Sequence, residues 1–284
     1  MLVIAVTFAG NHIAARIAFD HGANVVTAVV FRSCGTALAV FGLLLALRVP
    51  LALPGPRLGR AAVIGLVVAV QSYCIYSAVA RLPVALALLT FNTYPIVFAL
   101  MTWAAGVERP SPRAALPMLV ALAGLALALD AVGGLDKLAA RWEEIGTGVA
   151  FACASSLAFA TVLFLNARWM HGVDGRLRSA LSMGSCGVAA VAVAATTGAF
   201  ALPADGAGWL GLVLLTLFYG SAITGLFMLQ PRMRAVSDMT VLNFEPCAVL
   251  FFGWAILGQS LAPLQIAGAL IVIGAIVALG TAKR

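Results

Sequence analysis

Charged residues are scarce in this chain. Asp, Glu, Lys and Arg make up 10% of its 284 residues, against roughly a quarter in an average soluble protein. No ordinary water-facing surface can be assembled from so few. The 3 histidines and 5 cysteines form no metal-ligand pattern: there is no His-Glu-x-x-His and no spaced Cys/His set. There is no glycine-rich phosphate loop, and no polar stretch long enough to fold as a nucleotide-binding domain. ATP-driven transport and zinc chemistry therefore lack their parts, and neither a cofactor nor a metal is expected. Cys34, Cys74, Cys153, Cys186 and Cys247 all lie inside apolar runs and are odd in number, which argues against a disulfide framework. No basic n-region and no small-residue cleavage site precede Arg16, so the first apolar run reads as a helix rather than a signal peptide.

Hydrophobic residues fill the space, at 63% of the chain. They fall in ten runs, at residues 1–19, 24–47, 59–80, 83–105, 112–129, 145–167, 177–201, 208–230, 237–258 and 263–280. A hydrocarbon core about 30 Å thick needs about 20 apolar residues per helix, so ten spans account for about 200 residues and leave only short connections. Turn and breaker clusters at residues 50–59 and 131–134 separate the runs. The expected fold is an all-α integral membrane protein of ten transmembrane helices.

The net charge of +7 reflects topology rather than nucleic-acid binding, because the basic residues lie between apolar runs and not on an amphipathic face with interleaved aromatics. With the N-terminus placed in the cytoplasm, the inner segments hold Arg48, Arg57, Arg60, Arg109, Arg113, Arg168, Arg176, Arg178, Arg232, Arg234, Lys283 and Arg284, and the outer ones only Arg81, Lys137 and Arg141. Both termini are therefore expected to be cytoplasmic. The tryptophans fall near run ends, as in an interfacial belt. Tyr73, Tyr76, Tyr94 and Tyr219 fall near run middles, where a phenol must face protein or a water-filled cavity.

A shift of 151 positions lays Arg81 on Arg232, Asn92 on Asn243, Pro95 on Pro246, Trp103 on Trp254 and Pro112 on Pro263; one residue more lays Ser33-Cys34-Gly35 on Ser185-Cys186-Gly187. The order of these matches points to duplication. The expected organisation is a first five-helix repeat at 1–130, an external connection at 131–144, and a second repeat at 145–284. Because five is odd, the second copy would be inverted, an architecture common among alternating-access carriers around a central cavity. Duplication that merely stabilises a bundle is the plainer reading.

Pro95 and Pro246 lie near the middles of the fourth and ninth runs, each removing a donor and freeing the carbonyl four residues earlier, those of Phe91 and Leu242. Both kinks should border the cavity unless a nearby serine or threonine heals them. Asn92 and Asn243 sit one turn before the prolines, where they can bind solute or hold helices together. Glu245 is an acidic residue at mid-membrane depth, either a proton relay or ammonium ligand, or a neutral carboxyl bonded across helices. Arg32 lies about 12 Å inside the second run; it can attract a substrate carboxylate, snorkel outward or hold backbone carbonyls. Asn11 and His12 interrupt the first run and can bind substrate, titrate near neutral pH or tie helices together. Gly148, Ala152, Ser156 and Ala160 form a small-residue face on the sixth run, suited to close packing within the bundle.

The N-x-x-P pattern of the fourth and ninth runs, the Asn-Phe-Glu-Pro run at 243–246 and the Gly-Val-Glu-Arg run at 106–109 resemble the drug/metabolite transporter superfamily. Within it the chain looks like the ten-helix EamA-type exporters, and most like the bacterial aromatic amino acid exporters. The resemblance spans essentially the whole chain and implies export of amino acids or related metabolites without ATP, from the inner membrane of a bacterium. One departure is Gln259, where the second half of such proteins often has a glutamate matching Glu108.

The expected substrate site lies between helices 1, 3, 4, 6, 8 and 9 and comprises Asn11, His12, Tyr73, Tyr76, Asn92, Tyr94, Tyr219, Asn243 and Glu245. Its ligand would be a small metabolite; the other partner is membrane lipid, with no nucleic acid, and the protein is expected to be a monomer. A carrier of nucleosides or other small drugs would use similar groups. A membrane-embedded enzyme with Glu245, His12 and Tyr94 as an acid-base site is the alternative of another class, but catalysis does not need two oppositely oriented copies.

Overall fold

A computed structural model of the chain describes residues 1–53, 55–82, 84–107, 142–232, 240–257 and 263–281, with scattered positions between 116 and 127. Most of the fifth run, the 131–141 part of the connection with Lys137 and Arg141, Glu108, Arg109, Arg113, Arg234, Gln259, Lys283 and Arg284 lie outside the described residues, as does the side chain of Asn243. Every regular element is helical: α1 (Leu2–Asp20), α2 (Val25–Ala46), α3 (Gly55–Arg81), α4 (Val84–Phe91), α5 (Tyr94–Ala104), α6 (Trp142–Trp169), α7 (Gly175–Thr197), α8 (Gly206–Leu229), 3-10 turns at Gln230–Arg232 and Thr240–Phe244, α9 (Glu245–Leu257) and α10 (Pro263–Thr281). Among the described residues there is no strand.

Short polar residues start the helices where the apolar runs begin. Asn24 accepts the Thr27 N–H at 2.9 Å and caps α2, Asp174 accepts from Arg176 N–H at 2.8 Å and caps α7, and Asp205 accepts from Gly208 N–H at 2.9 Å and caps α8. Each satisfies an N–H the first turn cannot. Gly198, at φ 64°, ends α7 in the left-handed conformation a side chain would resist.

Among the described residues six helices, α1, α2, α3, α6, α7 and α8, are long and apolar enough to cross a membrane. Their outer faces are apolar: Val3, Leu38 and Val188 are each more than 70% exposed. Their inner faces carry Arg32, Ser33, Ser72 and Arg178, all buried. That inversion of the soluble pattern suits a hydrocarbon surround.

The helices pack in exchangeable pairs. α1 lies on α8 as α3 lies on α6, α3 touches α7 as α8 touches α2, and α4 and α5 pack on α6 as the second 3-10 turn and α9 pack on α1. The pair α2 and α7 exchanges into itself. Its partners run antiparallel, because Asn24 and Thr27 at the head of α2 bond to the carbonyls of Ala199 and Ala201 just past the end of α7. Where the two cross, the repeated triplets meet: Ser33 Oγ lies 3.1 Å from Cys186 Sγ, and a Cβ on Gly187 would lie 2.9 Å from Cys34 Sγ. The small face of α6 also serves packing inside the bundle, since a Cβ on Gly148 would meet Leu82 at 2.6 Å and Ala152, Ser156 and Ala160 are buried.

The fourth and ninth runs are not single kinked helices. The fourth breaks at Asn92–Thr93, and α5 restarts at Tyr94-Pro95; the ninth opens as a 3-10 turn, and α9 starts at Glu245-Pro246. Each proline therefore stands in the first turn of a half-helix, where its missing N–H breaks no bond and its fixed φ suits the helix. At the first break, Thr93 bonds the Thr90 carbonyl at 2.8 Å and the Ser156 hydroxyl at 2.9 Å, anchoring it to α6.

Candidate functional site

The two breaks face one small cavity. Phe91 and Tyr94 line it from the first break and Leu242 and Glu245 from the second, joined by Asn11 and His12 of α1, Arg32 of α2, Gln71 of α3, Phe159 of α6 and Tyr219 of α8. Five of the expected site residues, Asn11, His12, Tyr94, Tyr219 and Glu245, are thus brought together, and the lining as a whole draws on all the expected spans and on α2 as well. The cavity measures about 20 Å³, room for about one water molecule.

His12 and Glu245 form one pole. Nε2 lies 2.9 Å from Oε1, and both side chains are almost wholly buried. The carboxyl sits in the first turn of α9, where the positive end of the helix dipole favours negative charge. His12 Nδ1 has no hydrogen-bond partner.

Arg32 forms the other pole. The guanidinium is wholly buried. It donates from Nη1 to Tyr76 Oη at 3.2 Å and from Nη2 to Ser72 Oγ, and its central carbon stands 3.5 Å from the centre of the Tyr219 ring. Ser72 and Tyr76 are four residues apart and so share one face of α3. Tyr76 in turn donates to Asn11 Oδ1 at 2.9 Å, linking α2, α3 and α1 behind the cavity wall. Gln71 donates to Ser155 Oγ at 3.1 Å, tying α3 to α6.

Tyr94 lines the same cavity, buried, edge-on to Phe159 with centroids 4.8 Å apart and tilted against Phe91 at 5.2 Å. Among the described residues its hydroxyl has no partner. A residue expected to face open space is therefore also part of a packed aromatic cluster.

Two expectations, Asn92 and Tyr73, fall elsewhere, and the side chain of Asn243 lies outside the described residues. Asn92 turns back and donates to the Leu88 carbonyl at 2.8 Å, closing the end of α4 instead of facing solute; with its backbone ending at the break, the nearest acceptor is its own helix. Tyr73 is 45% exposed and packs on Phe151 at the rim of an outer apolar groove. Its position follows the exposed Val63, Leu66 and Val70 at helical spacing, so it lies on the outer face of α3 and not with Tyr76. Asn243 has its backbone in the 3-10 turn before α9.

Sequence reasoning left the role of Arg32 open and passed over Gln71, Phe8 and Phe159 as cavity residues. A guanidinium that deep in an apolar run was the available signal, since its cost demands an interior partner; the apolar lining carried none.

Beyond the cavity, two polar clusters tie the ends of the bundle. At one end His21 Nδ1 lies 2.7 Å from Asp205 Oδ2, joining the α1–α2 and α7–α8 connections. The N–H of Gly208 and the neighbouring His21 hold the Asp205 carboxyl below the usual carboxylate range. At the other end the buried Arg178 bonds Asn166 at 3.0 Å and the Phe227 carbonyl, and Gln230 bonds the Leu163 carbonyl at 2.9 Å.

The same fold occurs in a solved crystal structure described only as that of a protein, which aligns over 100% of this chain and 98% of its own with a TM-score of 0.75 at 16% identity. No curated protein matches the chain. Residues 146–281 match the EamA-like transporter family. These residues are thus similar to an EamA-like transporter domain, in a chain whose membrane-length helices mark a multi-pass membrane protein.

Proposed function

We propose that the protein is a secondary transporter that exports small metabolites, amino acids including aromatic ones, by alternating access and without ATP. The observation that carries this reading is the enclosed cavity with charged poles, built by both halves where two spans break. Broken spans expose helix ends to a midplane site in carriers of this kind, and the antiparallel α2–α7 pair fits two inverted five-helix units. The aromatic lining of Phe91, Tyr94, Phe159 and Tyr219 suits a flat apolar side chain. Ligand pockets generally measure roughly 300–1,000 Å³, so the 20 Å³ cavity is a closed form that must widen from one end or the other. The two flanking polar clusters are where such opening would occur. In this reading the protein works as a monomer in a bacterial inner membrane, with both termini cytoplasmic.

The test is purified protein in liposomes, offered a panel of amino acids and nucleosides with and without a pH gradient and with no nucleotide. Movement of amino acids down their own gradient or against a proton gradient is expected. A strict ATP requirement, or movement of nucleosides alone, would overturn the reading.

A further inference from the structure

We propose that Arg32 is the residue that selects the solute, holding a carboxylate that the solute must bring. The inference rests on the transporter reading above and names the chemistry its site recognises.

Arg32 is wholly buried and lines the cavity. Among the described residues no carboxylate pairs with it: its neighbours are the Tyr76 hydroxyl, the Ser72 hydroxyl, the Tyr219 ring face and the Cys186 thiol. Two of its five N–H donors are used in the bonds to Tyr76 and Ser72, and Nε–H has no partner. An unpaired buried cation is costly, and proteins normally pair it or let it reach water. This one does neither, and it stands over a phenol ring that fixes the plane of its fork. A planar fork with free donors is the geometry that grips a carboxylate in two parallel bonds.

The rest of the cavity decides which anion. Glu245, beside His12, lines the same space, and no ion pair joins it to Arg32. A multiply charged anion such as a phosphate ester would be repelled by that carboxyl. A solute carrying one carboxylate and one ammonium satisfies both poles, with the ammonium toward Glu245 and the carboxylate on Arg32. Its apolar part would then lie against Tyr94 and Phe159.

The experiment measures uptake into liposomes of matched solutes: phenylalanine, phenylalaninamide (no carboxylate), 3-phenylpropionate (no ammonium), phenyl phosphate and uridine. Wild-type protein should move phenylalanine with a KM at least tenfold below that of the amide. Arg32→Gln should raise the phenylalanine KM at least tenfold and erase the preference for the acid over the amide. Arg32→Lys, which keeps the charge but not the fork, should fall between the two. Monodispersity by gel filtration identifies any variant that has not folded, and in that case the acid-to-amide ratio of the wild type and of Arg32→Lys still decides. A wild type that moves the amide or uridine as well as the acid overturns the anchor while leaving the transporter reading intact. Tighter handling of phenyl phosphate than of phenylalanine overturns the choice of carboxylate. A folded wild type that moves none of the five solutes overturns both readings.

Discussion

His12 on α1 and Glu245 at the head of α9 meet 2.9 Å apart, across 233 positions of sequence and inside a site almost sealed from solvent. Neither residue has another charged partner among the described residues. A carboxyl so placed is either a proton relay through the site or a structural tie between α1 and α9. Glu245→Gln keeps the shape and removes the acid. With the carboxyl a relay, that variant should lose at least tenfold in liposome transport together with the pH dependence of transport, while gel filtration remains monodisperse. An unchanged pH profile would make the carboxyl a structural tie between α1 and α9.

Tyr94 has two separable parts. Its ring is packed against Phe91 and Phe159, and its hydroxyl is buried without a partner. Tyr94→Phe should leave the unfolding temperature unchanged and weaken transport severalfold, in line with about 0.5–1.5 kcal/mol for one hydrogen bond. Tyr94→Ala should lower stability by about 3–5 kcal/mol through the cavity it leaves. Wild-type transport in a folded Tyr94→Phe variant would remove the hydroxyl from the site.

Gly65 brings α3 against α7. A Cβ there would lie 2.1 Å from Ser185 Oγ and 2.5 Å from the Ser182 carbonyl oxygen, and the backbone atom cannot swing aside. Gly65→Ala should cost about 1–3 kcal/mol or more, read as a lower thermal unfolding midpoint in detergent. Gly59→Ala, with nothing nearby, is the control and should show no loss.

Topology follows from the charge count. Single cysteines at Gly22 and Ala204, on a background without the native five, should react with a membrane-impermeant maleimide from outside the cell. Cysteines at Arg57 and His171 should react only from the cytoplasmic side. Labelling of positions 22 and 171 from the same side would sink the scheme.

Asp205 gives a pH dependence whose sign is fixed. Its carboxyl is held below the ordinary range by the Gly208 N–H and by His21, so it binds its proton less readily when folded. The stability it adds is present above the ordinary carboxylate pKa of about 3.9 and is lost as pH falls through the lowered value. Thermal unfolding of Asp205→Asn, compared with wild type across acid pH, should lack that part of the acid sensitivity.

What the sequence determined by itself was periodicity and depth. Apolar run length fixes a helix to within a turn of its ends, because the bilayer thickness and the helix rise leave little choice. The six membrane-length helices accordingly start and stop close to their runs, and the matched prolines marked both breaks before any coordinate did. The matched triplets Ser33-Cys34-Gly35 and Ser185-Cys186-Gly187, 152 positions apart, touch each other where α2 and α7 cross.

Tertiary structure alone decided which polar groups share a cavity. Tyr73 and Tyr76 are equally deep in the same run, yet Tyr76 bonds Asn11 and Arg32 while Tyr73 faces outward. Depth is a property of sequence position, whereas facing depends on which neighbours α3 meets, and the partners of Tyr76 stand 44 and 65 residues away in sequence. The same holds for Asn92, whose side chain is taken up by its own helix end once the run breaks. For Arg32, sequence could state only that a buried guanidinium needs a partner; the packing of α2 against α3 and α8 supplied neutral ones and left its charge toward the cavity.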